Sequence, residues 1–132
     1  MEKYITNKDT IIFSPKYNEL LYTNLLLNYK KIIFNNYELN NNLFDKYKNN
    51  NLINLYNLTI SNSLIYKGSE FNQPLNNSLN GLINLTYLNF GSEFNQPLNN
   101  SLNSLTNLTH LIFDYSFDQL LNNSLYNLTS LT

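Results

Sequence analysis

Leucine recurs along the second half of the chain at a spacing of three. Leu79, Leu82, Leu85 and Leu88 form one run, and Leu102, Leu105, Leu108 and Leu111 form the next. At the end of each run the spacing shortens to two. Leu88 and Phe90 alternate with Tyr87 and Asn89, and Leu111 and Phe113 alternate with His110 and Ile112. A period of two predicts a short strand with one face turned inward. Asn57-Leu58-Thr59-Ile60, Lys31-Ile32-Ile33-Phe34 and Thr10-Ile11-Ile12-Phe13 read as earlier strands of the same kind, the last of them as the first strand of the chain. Ser14-Pro15 ahead of Lys16 to Leu21 resembles a helix start, with a capping serine and proline at the first helical position. Leu20, Leu21, Leu25 and Leu27 would give that helix an apolar stripe. A second short helix is expected near Leu43 to Lys48.

These runs belong to a repeat. The string Gly68-Ser69-Glu70-Phe71-Asn72-Gln73-Pro74-Leu75-Asn76-Asn77-Ser78-Leu79-Asn80 returns unchanged from Gly91 to Asn103, 23 positions later. A looser third copy starts at Asp114 and keeps Phe117, Asp118, Gln119, Leu121, Asn122, Asn123, Ser124 and Leu125 at the same offset. Upstream the pattern weakens. Leu52 to Ile60 matches it in part, with an insertion around Ser61 to Lys67. Periods of 20 to 29 residues with spaced leucines mark solenoids of the leucine-rich type. One unit is too small to bury its apolar side, so units stack and cover one another. The expected fold is therefore an α/β repeat solenoid, leucine-rich-repeat-like. Short parallel strands line one face and irregular or helical segments return the chain. Residues 1–51 would form an N-terminal capping region with degenerate repeats and a helix. Residues 52–132 would hold the repeats of period 23, the last incomplete.

Within the units, Phe71, Phe94 and Phe117 are expected to stack in the core. Asn72, Asn95 and Asp118 follow them and are expected to form a structural ladder, a buried amide serving backbone groups that no strand pairs. Asp118 lacks amide donors, which predicts a less well satisfied third unit. Gly68 and Gly91 follow strands and should take positive φ, with Asp114 in that role in the third unit. The chain stops before a further strand could form. The end should then expose Phe117, Leu121, Leu125 and Leu128, leave the His110–Phe113 strand with an open edge, and favour self-association.

Composition narrows the function. The chain has 132 residues, a net charge of -1, and no Ala, Val, Arg, Trp or Cys. Without cysteine there is no disulfide frame, thiol nucleophile or cysteine-built zinc site. No apolar stretch is long enough for a membrane span, and no signal peptide opens the sequence. Near-neutral charge without arginine argues against nucleic acid as partner. All eight lysines lie at or before Lys67, so the first half is mildly basic and the repeat half mildly acidic. The abundance of Asn, Ile, Tyr, Phe and Lys is consistent with A/T-rich coding.

The Phe-Asn-Gln-Pro-Leu-Asn-Asn-Ser-Leu string and the Leu-x-x-Leu-x-x-Leu-x-Phe-Gly segment before it resemble the FNIP repeat family of social amoebae and of giant DNA viruses that infect amoebae. That resemblance covers residues 68–132 well and 52–67 in part. It implies a relative of leucine-rich repeats, and a cytoplasmic location, in the host cytoplasm for a viral protein. Family members often join such repeats to an F-box, which would make this chain the substrate-recognition part of a ubiquitin-ligase adaptor. The nearest string, Ser14-Pro15-Lys16-Tyr17-Asn18-Glu19-Leu20-Leu21, departs from the F-box opening in spacing. A similar string occurs in a bacterial surface-protein repeat family, whose units carry Trp and Val, both absent here.

Catalytic chemistry is hard to assemble. His110 is the single histidine and no carboxylate cluster accompanies it. Phosphate-binding glycine loops are absent. Ser78, Ser101 and Ser124 are repeat residues, not a unique nucleophile, and Glu70 with Glu93 has no complement for acid–base work. The Asn-x-Ser/Thr sequons read as by-products of the repeat. The expectation is a non-enzymatic protein–protein interaction module with no cofactor or metal, binding an unidentified protein, a host protein if the chain is viral. Aligned strands put Lys31, Asn57, Tyr87 and His110 in one column, and Ile33, Thr59, Asn89 and Ile112 in another. These eight form the expected binding face, with Tyr87 the strongest anchor. The alternative is a relic of repeat expansion that binds nothing.

Overall fold

A computed structural model of the chain describes residues 4–13, 28–35, 55–61, 72, 74–77 and 79–132, with residues 34, 35, 60 and 61 described through their backbone. It holds one sheet of six strands in sequence order. They are β1 (Tyr4–Asn7), β2 (Thr10–Phe13), β3 (Lys31–Asn35), β4 (Asn57–Ser61), β5 (Tyr87–Asn89) and β6 (His110–Ile112). β1 and β2 form an antiparallel hairpin, and every later neighbour is parallel. The parallel register runs through Ile11, Ile32, Leu58, Leu88 and Leu111 without a slip.

This register follows from the alternation. A slip of one residue would turn every apolar side chain outward. Ile11, Ile32, Leu58 and Leu88 are all buried, whereas Leu111 on the outermost strand is half-buried. The strand expectations from the alternating segments hold, apart from ends shifted by a residue. The first strand, however, is not Thr10–Phe13 but Tyr4–Asn7 ahead of it. β1 is exposed along its length and has no counterpart in the repeat. It closes the open edge of β2 through a tight turn in which Lys8 takes φ 45°, and Tyr4 packs edge-on against Phe13 at 6.0 Å. The expected helices around residues 15–27 and 43–48 lie outside the described residues.

Among the described residues no helix connects β5 to β6. The segment is a chain of tight turns closed by backbone bonds three residues apart: Ser101 to Leu98, Leu105 to Leu102, and Leu108 to Leu105. The same bonds recur one unit earlier from Leu82 to Leu79 and from Leu85 to Leu82. Three residues per turn puts every third side chain on the same side. That is the physical content of the leucine spacing: Leu79, Leu82, Leu85, Leu102, Leu105 and Leu108 are all in the core.

Each unit also turns at a residue in the left-handed region. Gly91 does so at φ 78°, as expected, and Gly68 lies outside the described residues. Asp114 does not, which corrects the expectation; its carboxylate instead accepts from the Tyr115 N–H at 2.8 Å. The recurrent left-handed position is an asparagine, Asn76 at φ 49°, Asn99 at 47° and Asn122 at 43°. Asparagine tolerates this conformation better than other residues with a β-carbon. All three side chains are exposed, so packing does not obscure the effect. Asn99→Val should lower stability by about 1–2 kcal/mol, while Asn99→Gly should change it by less than about 1 kcal/mol. Urea unfolding of the two variants checks this, and equal losses would remove the conformational reading.

Candidate protein-binding face

The residues that alternate with the core positions make two columns across the sheet. One runs Lys31, Asn57, Tyr87, His110, and the other Ile33, Thr59, Asn89, Ile112, each paired in register with the next. All eight expected face residues are thus brought onto one side of the sheet. Sequence reasoning missed that the columns extend to β2, where Thr10 pairs with Lys31 and Ile12 with Ile33. The signal was present in the alternation of Thr10-Ile11-Ile12-Phe13.

The face is less open than a row of free side chains. Lys31, Ile33, Asn57, Thr59, Tyr87 and Asn89 are half-buried, and only His110 and Ile112 are exposed. Several polar atoms are already engaged. The Thr59 hydroxyl donates to Asn57 Oδ1 at 3.1 Å. Asn89 Oδ1 accepts from the Gly91 N–H at 3.0 Å, closing the turn that leaves β5. The Tyr87 and His110 rings stack at 5.9 Å and 30°. His110 Nδ1 lies 2.9 Å from Thr109 Oγ1.

Beneath the face, threonines tie the units together. Thr86 Oγ1 donates to the Tyr56 carbonyl at 3.0 Å, Thr109 Oγ1 to the Thr86 carbonyl at 2.9 Å, and Thr132 Oγ1 to the Thr109 carbonyl at 3.2 Å. Each of these carbonyls also accepts a backbone N–H from the same threonine. This ladder was not anticipated, although a threonine directly before β5 and before β6, and a third at the same offset at Thr132, were visible in the sequence.

The anticipated ladder exists in altered form. Asn72 Oδ1 accepts from the Asn95 N–H at 2.8 Å, and Asn95 Oδ1 from the Asp118 N–H at 2.9 Å. Gln96 and Gln119 add side-chain donors to the same oxygens. Asn72 and Asp118 are exposed and Asn95 is half-buried, so the amides sit at the surface of the bend, not within the core. The working atom is the side-chain oxygen, which aspartate also has. Asp118 is therefore no defect on the ground of its missing amide.

The aromatic column is as expected for Phe94, which is 1% exposed. Phe117 is half-buried at the outer end, and Phe71 lies outside the described residues. Phe94 and Phe117 stack at 6.1 Å, with Phe90 and Phe113 beside them. Between successive units, two equivalent clefts of about 500 and 480 Å³ are lined by Pro97, Asn99, Asn100 and their counterparts. Their polar lining is mostly amide, with Asp118 and Ser124 in one cleft and Ser101 in the other. Ser101 and Ser124 are buried. Among the described residues no three His, Cys, Asp or Glu side chains gather to hold a metal ion. No helix among them is long and apolar enough to cross a membrane. Comparison of the chain with family models, curated proteins and solved structures finds no match.

Proposed function

We propose that this chain is a leucine-rich-like solenoid of the FNIP type that works without catalysis, as a protein-interaction module in the cytoplasm. The observation that carries this reading is the pair of in-register columns on one side of the sheet. A continuous sheet holds those side chains at fixed spacing, so ordering them on binding costs little entropy. Stacked repeats offer an extended face of this kind to a partner. The aromatic pair Tyr87 and His110 is the natural anchor, because aromatic side chains concentrate interface energy.

Affinity capture from amoebal lysate tests the reading, with the chain beside a Tyr87→Ala, His110→Ala double variant of matched thermal stability. A specific partner should bind the double variant roughly thirtyfold more weakly, the loss of one strong hot spot. Proteins retained equally by both forms would show that the face is not used.

A further inference from the structure

Asparagine precedes glycine at a single place in the chain, Asn80-Gly81. The pair lies in the tight turn between Leu79 and Leu82, closed by the Leu82 N–H on the Leu79 carbonyl at 3.0 Å. Both leucines are core residues, at 1% and 4% exposure. Asn80 is exposed and Gly81 is half-buried. The Asn80 N–H donates to the Asn77 carbonyl at 3.1 Å. The Asn80 side-chain amide and the Gly81 N–H make no hydrogen bond among the described residues.

Asparagine is a thermolabile residue, and the attacking group is its own neighbour. The backbone nitrogen of the next residue, once deprotonated, can close a five-membered ring on the side-chain Cγ. The nucleophile is tethered beside its target, which gives it a high effective concentration. A hydrogen bond that keeps the proton on that nitrogen opposes the reaction. So does a β-carbon on the next residue, which crowds the ring and which glycine lacks.

The fold applies the first restraint widely. The N–H that follows Asn84, Asn89, Asn100, Asn107, Asn123 or Asn127 donates in each case to a backbone carbonyl. The second restraint covers others. Asn76, Asn99 and Asn122 each precede another asparagine. Asn103 occupies the same turn as Asn80 one unit later, but it is half-buried and precedes Ser104. Among the described asparagines, Asn80 alone combines exposure, an unbonded N–H after it and a glycine to supply that N–H.

We propose that Asn80-Gly81 is a site of spontaneous covalent modification, converted through a cyclic imide to aspartyl and β-linked isoaspartyl forms. Hydroxide takes the proton from the Gly81 nitrogen, which then bonds to Asn80 Cγ. The side-chain nitrogen takes a proton from water and leaves as ammonia. Water next opens the imide at either carbonyl, and nothing is oxidised or reduced. Opening at Cγ gives aspartate. Opening at the backbone carbonyl leaves the chain running through Cβ and Cγ, with a methylene added to the turn. The bond from Leu82 to Leu79 spans this peptide, so the lengthened turn cannot keep that bond and both leucines in place. Either product also adds a negative charge to a half of the chain without lysine.

The full chain is incubated at mildly alkaline pH, folded and, separately, in urea. Cleavage after Glu70 and Glu93 then releases residues 71–93, with Asn80, apart from residues 94–132, with Asn103. The folded chain should gain the mass of an NH2-to-OH exchange at Asn80, with both linkages seen on fragmentation, and none at Asn103. Gly81 does not take positive φ, so the turn accepts Gly81→Ala, and this variant should lose the product. Asn80 intact in the folded chain but converted in urea overturns the proposal, because the fold would then shield the site. Conversion spread evenly over the asparagines of the folded chain overturns it as well. Asn80→Asp carries the charge without the added methylene. The purified β-linked chain should therefore melt below Asn80→Asp, and equal midpoints overturn the predicted opening of the turn.

Discussion

Phe94→Ala is expected to destabilise the chain by about 3–5 kcal/mol, the usual range for truncating a buried phenylalanine. Phe94 is 1% exposed and lies parallel to Phe90 at 4.3 Å and to Phe117 at 6.1 Å. Phe113 closes the group at 6.4 Å. The cost has two parts: the transfer of the ring to water, and the void that remains. Here the void resists collapse. Its walls are flat rings held by strands and turns on both sides, and a ring cannot bend into the gap. Phe117→Ala, at the half-buried end of the column, should cost clearly less. Urea unfolding of both variants supplies the comparison. A loss for Phe94→Ala below about 1 kcal/mol would contradict its place in the core.

The second large effect is expected from adding material. Appending one 23-residue unit with polar outward residues should raise stability by about 3–5 kcal/mol, because partly buried apolar side chains would become fully covered. Leu111, Phe113, Phe117 and Leu125 pack against the core while still partly exposed, and Leu121 is 39% exposed. The expected exposure of Leu128 is not found; it is 5% exposed, and Thr132 is already bonded back to Thr109 at 3.1 Å. What remains open is the outer edge of β6. An open edge is a template for another chain, so residues 1–132 taken by themselves should self-associate at high concentration and the extended chain should not. Sedimentation of both at matched concentration decides, and a strictly monomeric native chain would remove the edge-pairing part.

Much of this architecture was readable in advance, for a physical reason. Alternation fixes a strand's inward face, and a repeat then fixes register, because equivalent residues must meet. The pairing of Tyr87 with His110 and of Asn89 with Ile112 follows from those two facts, and alternation alone extends the columns back to Lys31 and Ile33. β1 was not readable. It is four exposed residues outside the repeat, so neither burial nor periodicity marks it. The threonine ladder and the left-handed asparagines were missed for a different reason. Their work is done by backbone geometry and single hydrogen bonds, which leave no hydrophobic trace. Asparagine richness consistent with coding bias conceals at least three distinct duties. Asn99 turns the backbone, Asn95 accepts from the next unit, and Asn107 donates to the Ile83 carbonyl at 2.9 Å.

Between the last units the bonds recur at a separation of 23 or 24 residues, from Asn72 with Asn95 to Thr109 with Thr132, whereas the earlier bond of Thr86 to Tyr56 spans 30. Such a lattice punishes a small misalignment and is nearly indifferent to a whole-period one. A shift of one or two residues breaks every rung, whereas a displacement by an entire unit remakes most of them with chemically equivalent partners. Errors in folding should therefore be quantised, arriving as a skipped or exchanged unit and not as a frayed register. Something aperiodic has to mark the origin of counting. The β1–β2 hairpin, antiparallel and without a copy elsewhere among the described strands, is the element that can do so.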